Sequence, residues 1–313
     1  MKLFKFLLLL LFSLKLQSQQ INMNFPKFAG KSYDFIIFQG TKQKTLIQGV
    51  IRDDGKFILN IPKEFAPYEG MSRWLITGTK EGGGLDMYIP GHDFSVSCLD
   101  SEPNDKNIVY VNNSGNTELN SIYKQQGEIL SRYQAMLLAT KSYDVSSSYY
   151  SLFKSELDKQ KQEYMVFQEA LKNRENYISR LLLILNITRG MGGVLTDSEY
   201  QNGKDISGYI SRNLDWNSLY TSGHWSEVIE GFVNIHALVL KDSLGVSEDF
   251  KMISDRISSP EIYTDFCERL TYYLKQLGKD EYIAKIAPII ISSGKLTNYD
   301  GTLSEYVNKN VSK

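Results

Sequence analysis

The chain has 313 residues, of which 42% are hydrophobic and 23% are charged, and its formal net charge is -1 at pH 7. This composition is typical of a folded globular protein and excludes an intrinsically disordered chain. The slightly acidic balance also excludes nucleic acid as the main partner, because phosphate binding requires a basic surface.

Residues 1–18 predict an export signal. Lys2 and Lys5 precede a leucine-rich run over residues 7–14, and a short polar segment over residues 17–20 follows. The apolar run is about half the roughly 20 residues that a spanning helix needs, so we favour a signal cleaved after Ser18 over a retained anchor. Cleavage removes three lysines and no acidic residue, which lowers the net charge from -1 to -4. We expect an exported mature chain without a transmembrane anchor.

Residues 19–113 have the alternating pattern and the turn residues of β-strands. Asp53-Asp54-Gly55 predicts a hairpin turn, and the glycine-rich segment 81–84 favours a hairpin connection over a phosphate-binding loop, because a strand pattern and not a helix follows it. Such short strands at regular spacing predict a small antiparallel sandwich-like domain. The predicted strands cover residues 33–38, 45–51, 56–61, 73–79, 85–89, 93–98 and 107–111.

From residue 116 onward the apolar residues recur with helical spacing. Ser259 followed by Pro260 predicts a helix start, and Gly278 suits the end of that helix. We expect an all-α domain over residues 114–293 and a polar tail over residues 294–313. The fold class is therefore α+β, with an N-terminal β-sandwich-like domain followed by an all-α helical domain. The predicted helices cover residues 119–137, 147–189, 225–240, 248–257, 260–277 and 280–291.

The chain contains two cysteines, Cys98 and Cys267, and they do not form a Cys-x-x-Cys pair. Cys98 lies on the apolar face of a predicted strand, and Cys267 shares a helical stripe with Leu270 and Leu274. We favour two buried thiols. A disulfide between them and a reactive thiol are the alternatives.

No catalytic, metal or cofactor motif is present in the sequence. The three histidines, His92, His224 and His236, are too scattered for a metal site, and no Gly-x-Ser-x-Gly nucleophile motif occurs. The sequence therefore favours a protein without catalytic activity, and it predicts no cofactor.

Aromatic residues provide the strongest candidate for a contact site. Trp216, Tyr220 and Trp225 lie close together in a polar, glycine-bearing segment. Exposed tryptophan and tyrosine often anchor protein or sugar contacts, so these residues are candidate ligand or partner contacts. The alternative, which we favour, is that they fill the seam between helices.

Several turn-rich segments resemble a known family. Residues 25–31, 49–51 with 55–57, and 81–87 are similar to the amino-terminal region of exported thioredoxin-like proteins of Bacteroidetes, often labelled alkyl hydroperoxide reductase or AhpC/TSA-type. The resemblance implies a β domain and a helical segment that precede a thioredoxin domain carrying Cys-x-x-Cys. Because this sequence has no Cys-x-x-Cys, the resemblance implies an accessory region without its own redox activity. It also implies the periplasm or cell envelope of a Gram-negative bacterium.

These observations together favour a non-catalytic binding or interaction module of the envelope. Its expected partner is another envelope protein, with a thioredoxin-like protein as the candidate. One alternative is a thiol-disulfide oxidoreductase or peroxide-reducing protein that acts through Cys98, Cys267 or a separate thioredoxin-like partner. The other alternative is capture of a glycan or peptide by the region from Trp216 to Trp225.

Overall fold

The structure is a computed structural model that describes residues 19–80 and 82–311, so the predicted export signal lies outside the described residues. It confirms the predicted α+β fold, with strands in the first part of the chain and helices in the rest. Each of the predicted strand segments overlaps a strand, and one further strand, β1, precedes them. The strands are β1 (Gln20–Asn24), β2 (Ser32–Gln39), β3 (Lys42–Val50), β4 (Lys56–Asn60), β5 (Glu69–Thr77), β6 (Gly84–Pro90), β7 (Phe94–Ser97) and β8 (Val109–Val111).

The strands form two four-stranded sheets, with the orders β4-β1-β7-β8 and β3-β2-β5-β6. Neighbouring strands are antiparallel except β1 and β7, which are parallel. Alternate side chains of both sheets point into one apolar core, where Ile21 and Phe94 of the first sheet join Phe35 and Trp74 of the second. The apolar residues alternate along the sequence because every second side chain of a strand points into this shared core.

The turn at Asp53-Asp54-Gly55 is not the predicted β-hairpin. It joins β3 to β4, and these strands belong to different sheets. Gly55 has a φ of 73° and donates its backbone N–H to the carbonyl of Arg52, so the local turn is real. Its carbonyl accepts from the N–H of Phe25, and the chain then crosses to pair with β1. In contrast, the glycine-rich segment after residue 81 is the predicted hairpin connection, because β5 and β6 pair directly.

The second half of the described chain is helical. The side chain of Ser259 accepts a hydrogen bond from the N–H of Ile262, which confirms the predicted start of α8. A π-helical turn, Ile235–Leu240, directly continues α6. The helices are α1 (Gly115–Ser142), α2 (Ser148–Lys172), α3 (Tyr177–Thr188), α4 (Glu199–Arg212), α5 (Trp216–Tyr220), α6 (Trp225–Asn234), α7 (Ser243–Arg256), α8 (Pro260–Gln276), α9 (Asp280–Ser292) and α10 (Gly301–Val311).

Two predicted segments of this part of the chain differ in the structure, and α4 and α5 lie where no helix was predicted. The single helix expected over residues 147–189 is two helices, because the chain breaks after α2 and Asn176 caps α3 by accepting from the N–H of Ser179 at 2.8 Å. The expected polar tail contains α10. Its Leu303 and Val307 are buried in the core of the helical domain, against α8 and α9.

The helical domain has two parts. Helices α4–α10 surround a large apolar core, whereas α1 and α2 form a long antiparallel hairpin whose base packs on α3 and on Tyr88 of β6. The far end of the hairpin is solvent-exposed, with Leu138 and Leu152 each more than 60% exposed. Across residues 19–80 and 82–311, none of the helices combines the length and the apolar character that a membrane span requires.

Candidate binding cleft at the domain junction

The two domains are joined at Tyr88. Its ring stacks on that of Tyr177 in α3, with ring centroids 5.0 Å apart and planes inclined by 22°. The backbone N–H of Tyr88 donates to Oδ1 of Asn116 at 2.9 Å, and its carbonyl accepts from Nδ2 of Asn113 at 2.8 Å. Both asparagines are buried. The start of α1 is therefore fastened to the backbone of β6.

A second group of hydrogen bonds fastens the end of α5 to β5 and to the β2–β3 turn of the same sheet. The N–H of Met71 donates to the carbonyl of Thr221 at 2.9 Å, and the N–H of Gly40 donates to the carbonyl of Tyr220 at 2.8 Å. The hydroxyl of Tyr68 lies between them, 2.7 Å from the carbonyl of Met71 and 3.4 Å from the carbonyl of Thr221. Because these contacts involve backbone groups of both domains, the relative position of the domains is fixed at the junction.

A cleft with a cavity volume of about 700 Å³ opens beside the Tyr88–Tyr177 stack. We call it the polar cavity. Its walls come from both domains, and a volume of this size is typical of small-ligand sites, which favour domain interfaces. The main polar residues of its lining are Glu69, Tyr88, His92, Ser114, Thr117, Glu118, Glu175, Asn176, Tyr177 and Arg180.

Carboxylates dominate the charge of the polar cavity. Glu69 accepts a hydrogen bond from the hydroxyl of Tyr88 at 2.7 Å, and Glu118 accepts one from Nδ2 of Asn176 at 3.2 Å. Glu175 also lines the cavity, and within the described residues neither Glu69 nor Glu175 has an ion-pair partner. The lining guanidinium, Arg180, lies 3.4 Å from a carboxylate oxygen outside the lining. The polar cavity is therefore acidic.

The two stacked tyrosines act as neutral phenols. Burial raises the pKa of Tyr88, and the carboxylate of Glu69 raises this pKa further. Burial also raises the pKa of Tyr177. A phenol that keeps its proton at neutral pH donates hydrogen bonds and does not serve as a general base.

A second cavity of about 730 Å³ adjoins the first along α1. Tyr110 and Thr117 line both cavities, so the two cavities form one trough at the domain junction. We call the second one the apolar cavity, because large apolar side chains form much of its wall. These side chains are Met71, Leu85, Ile108, Leu119 and Tyr123.

No family model, no curated protein and no solved structure matches the chain. The resemblance to exported thioredoxin-like proteins stays a prediction.

The predicted aromatic contacts are buried. Trp216, Tyr220 and Trp225 have exposed fractions of 5%, 8% and 1%. The rings of Trp216 and Trp225 meet edge to face with centroids 5.9 Å apart, and Trp216 packs on Phe266 at 4.8 Å. These residues fill the seam between α5, α6 and α8, as the favoured alternative predicted, and they offer no exposed ligand surface.

Both cysteines are unpaired and buried. Cys98 belongs to the core of the β domain and Cys267 to the core of the helical domain. Burial raises the pKa of Cys267. Since the thiolate is the reactive form of cysteine, this environment disfavours thiol chemistry at Cys267.

The histidines lie apart from one another. His92 lines the polar cavity, whereas His236 is buried, with Nε2 at 3.1 Å from a carboxylate oxygen of Asp249. His224 lies 2.6 Å from Glu227. No cluster of three metal-ligating side chains occurs in the described part of the chain.

The residues of the trough escaped the sequence analysis. All of α1 and α2 lies between Tyr88 and Tyr177 in the sequence, and no local pattern predicts that their rings stack. Asn113 and Asn116 carried the available signal, because two asparagines at the start of a helix can bind a neighbouring backbone as well as cap the helix.

Proposed function

We propose that this protein is a non-catalytic binding module of the bacterial envelope that holds its ligand in the trough between the domains. The observation that carries the proposal is the fixed geometry of the trough. Its two sides are tied together through the backbone of Tyr88, which hydrogen-bonds to the buried side chains of Asn113 and Asn116. A preformed site loses little free energy to ordering when the ligand binds.

The polar groups of the trough suit recognition better than catalysis. The hydroxyl of Tyr88 is engaged by Glu69, and the amide of Asn176 is engaged by Glu118. General acid-base chemistry needs a group whose pKa lies near the working pH, and the raised pKa of both tyrosines places them far from it. The carboxylates of Glu69 and Glu118 keep further lone pairs, so they can also accept hydrogen bonds from a bound molecule.

The alternative of a thiol oxidoreductase has less support. An active thiol must be accessible and ionised, whereas Cys98 and Cys267 have exposed fractions of 1% and 0%. A thioredoxin-like protein remains a candidate partner, since its cysteines would supply the chemistry. The export of the chain rests on the predicted signal over residues 1–18.

A site-specific photocrosslinker tests the proposal. We would place a benzoylphenylalanine at Thr117, which lines both cavities, and a matched one at Lys251 on the exposed face of α7. Each variant is incubated with an extract of the native envelope and irradiated. We expect one defined adduct at position 117 and none at position 251, and the adduct mass identifies the chemical class of the ligand. Equal adducts at both positions, or none at position 117, would overturn the proposal.

A further inference from the structure

We infer that the trough binds a short extended peptide segment that carries a basic side chain close to a large apolar side chain. This inference rests on the proposed function, because it names the ligand class of the same site. The basic side chain occupies the polar cavity, and the apolar side chain occupies the apolar cavity.

The shape of the trough favours an elongated ligand. Along α1 its lining runs from Ser114 in the polar cavity to Lys124 in the apolar cavity. A helix rises about 1.5 Å per residue, so this part of the trough is roughly 15 Å long. An extended chain advances about 3.3 Å per residue, so the trough accommodates about five residues.

The polar cavity selects a cation. Glu69, Glu118 and Glu175 face one lining guanidinium, that of Arg180, and Arg180 pairs with Asp215. Arg174 approaches Glu118 at 3.8 Å and partly offsets its charge. A protonated amine or guanidinium would meet the unpaired carboxylates of Glu69 and Glu175 and the neutral hydroxyl of Tyr88. Hydrogen bonds to charged groups are the stronger ones in proteins.

The helix N-termini at this cavity do not reverse its preference. α1 and α3 both begin there, and the positive end of a helix favours an anion. However, Oδ1 of Asn113 accepts from the N–H of Gly115, and Oδ1 of Asn176 accepts from the N–H of Ser179. Glu118 adds a negative charge in the first turn of α1. The exposed N–H groups that would hold an anion are thus partly occupied.

The apolar cavity selects a large hydrophobic side chain. Leu85, Ile108 and Leu119 are only half-buried and line the cavity. A bound leucine or phenylalanine side chain would cover them, and burial of such a side chain is favourable in proportion to the apolar area removed from water. Charges at the rim balance one another, since Asp105 lies beside Lys106 in the lining.

Labelled model peptides test this inference. We would measure the fluorescence anisotropy of fluorescein-labelled glycine-based peptides in which lysine and leucine are adjacent or separated by one or two glycines. Two matched series replace lysine by glutamate and leucine by serine. We expect one spacing of the lysine–leucine series to bind best, with roughly tenfold weaker binding after either replacement. Added salt should weaken the binding of the lysine-containing peptides more than that of the glutamate-containing peptides. Salt screens the attraction between the lysine and the carboxylates of the polar cavity.

Protein variants locate the two contacts. Glu175→Gln should weaken the lysine peptide severalfold, because Glu175 lines the polar cavity without an ion-pair partner among the described residues. Glu248→Gln on the exposed side of α7 is the control that should not. Leu119→Asn should weaken the leucine peptide, and a thermal melt checks that this variant stays folded. The serine-for-leucine peptide tests the same contact without any change in the protein.

The outcomes separate this inference from the proposed function. If glutamate peptides bind as tightly as lysine peptides, or if leucine makes no difference, the inference is overturned while a ligand site in the trough stands. The same holds if no peptide binds but the crosslinker at position 117 captures a glycan. If no peptide binds and position 117 gives no adduct, both the inference and the proposed function are overturned.

Discussion

Asp265 of α8 holds Thr41 of the β2–β3 turn across the domain junction. Its Oδ2 accepts hydrogen bonds from the backbone N–H of Thr41 at 3.2 Å and from the Thr41 hydroxyl at 3.1 Å. Its other oxygen accepts from Nε1 of Trp225 at 3.0 Å. One carboxylate thus joins a β-turn to the aromatic seam of the helical domain.

Loss of this carboxylate should destabilise the whole protein. Asp265→Ala leaves the indole N–H of Trp225 and the N–H of Thr41 without their acceptor, so we expect the free energy of unfolding to fall by about 2–3 kcal/mol. Urea denaturation at neutral pH, followed by tryptophan fluorescence, measures the change. Asp255→Ala, at an exposed position of α7, should stay within about 0.5 kcal/mol of the natural chain. Equal effects of the two substitutions would contradict the assigned role.

Gly40 provides an independent test of the same contact. It has a φ of 59°, and a Cβ built on it would lie only 2.3 Å from Oδ2 of Asp265. Gly78 has a similar φ of 74° but open space around it. We expect Gly78→Ala to cost about 1 kcal/mol from backbone strain alone, and Gly40→Ala to cost clearly more. If the two costs agree in a urea titration, the junction at Gly40 is looser than the structure indicates.

The fold could be predicted from the sequence where local pattern decides the structure. Alternation in β2–β8 reports the side chains that enter the β core, and Ser259-Pro260 marks the start of α8. Local pattern does not decide which strands pair. The chemistry at Asp53-Asp54-Gly55 specifies a tight turn, and the same turn serves a hairpin or a crossing between sheets.

The missed elements have weak local signals. β1 alternates apolar residues with glutamine and asparagine directly after the predicted signal, so it resembles the polar end of that signal. In α4, Gly203 and Gly208 interrupt the helical pattern, and packing against the π-helical turn compensates for their low helix propensity. The trough is assembled by tertiary contacts between distant residues, and its local signal in the sequence is the pair Asn113 and Asn116 at the start of α1.

Buried tyrosines should make the protein sensitive to alkali. Their folded-state pKa values lie above the unfolded value of about 10, so at higher pH the unfolded chain loses protons that the native chain retains. The stabilisation is therefore complete below about pH 10 and is lost as the pH rises further. Burial raises the pKa of Tyr209 to about 12 and raises the pKa of other tyrosines as well, namely Tyr68, Tyr88, Tyr110, Tyr164, Tyr177, Tyr220 and Tyr263.

The pH dependence is measured by urea unfolding at a series of pH values, together with tyrosinate absorbance in the near ultraviolet. We expect the free energy of unfolding to stay level to about pH 10 and then to fall. Tyr164→Phe should make the fall less steep, whereas Tyr149→Phe, at a position that is 59% exposed, should not change it. The prediction would be contradicted if most tyrosines of the native protein ionised near pH 10, as they do in the unfolded chain.

The thiols should be unreactive in the native protein. Both lie in cores, and the raised pKa of Cys267 keeps it protonated at neutral pH. Ellman's reagent should therefore detect no thiol before denaturation and both thiols afterwards. Rapid reaction of the native protein would revive the oxidoreductase alternative. The absence of thiols after denaturation would instead indicate a disulfide between Cys98 and Cys267.

A buried amide cluster fixes the base of the α1–α2 hairpin on α3. Nε2 of Gln126 donates to Oδ1 of Asn186 at 2.7 Å, and Nδ2 of Asn186 donates back to Oε1 of Gln126 at 2.9 Å. Gln168 joins by donating to the same oxygen of Gln126 at 2.9 Å and by accepting from Asn186 at 3.1 Å. All three side chains are almost fully buried.

Removal of one member should cost more than removal of all three. Asn186→Ala leaves amide groups of Gln126 and Gln168 buried without a hydrogen-bond partner. Each unsatisfied buried group costs about 1–3 kcal/mol. The triple leucine variant at positions 126, 168 and 186 leaves no amide unsatisfied, so we expect it to recover much of the stability lost by Asn186→Ala. Urea titrations of both variants measure the difference, with Leu138→Ser at the exposed end of the hairpin as a control expected within about 0.5 kcal/mol of the natural chain. A triple variant less stable than Asn186→Ala would mean that packing volume, and not amide pairing, governs this site.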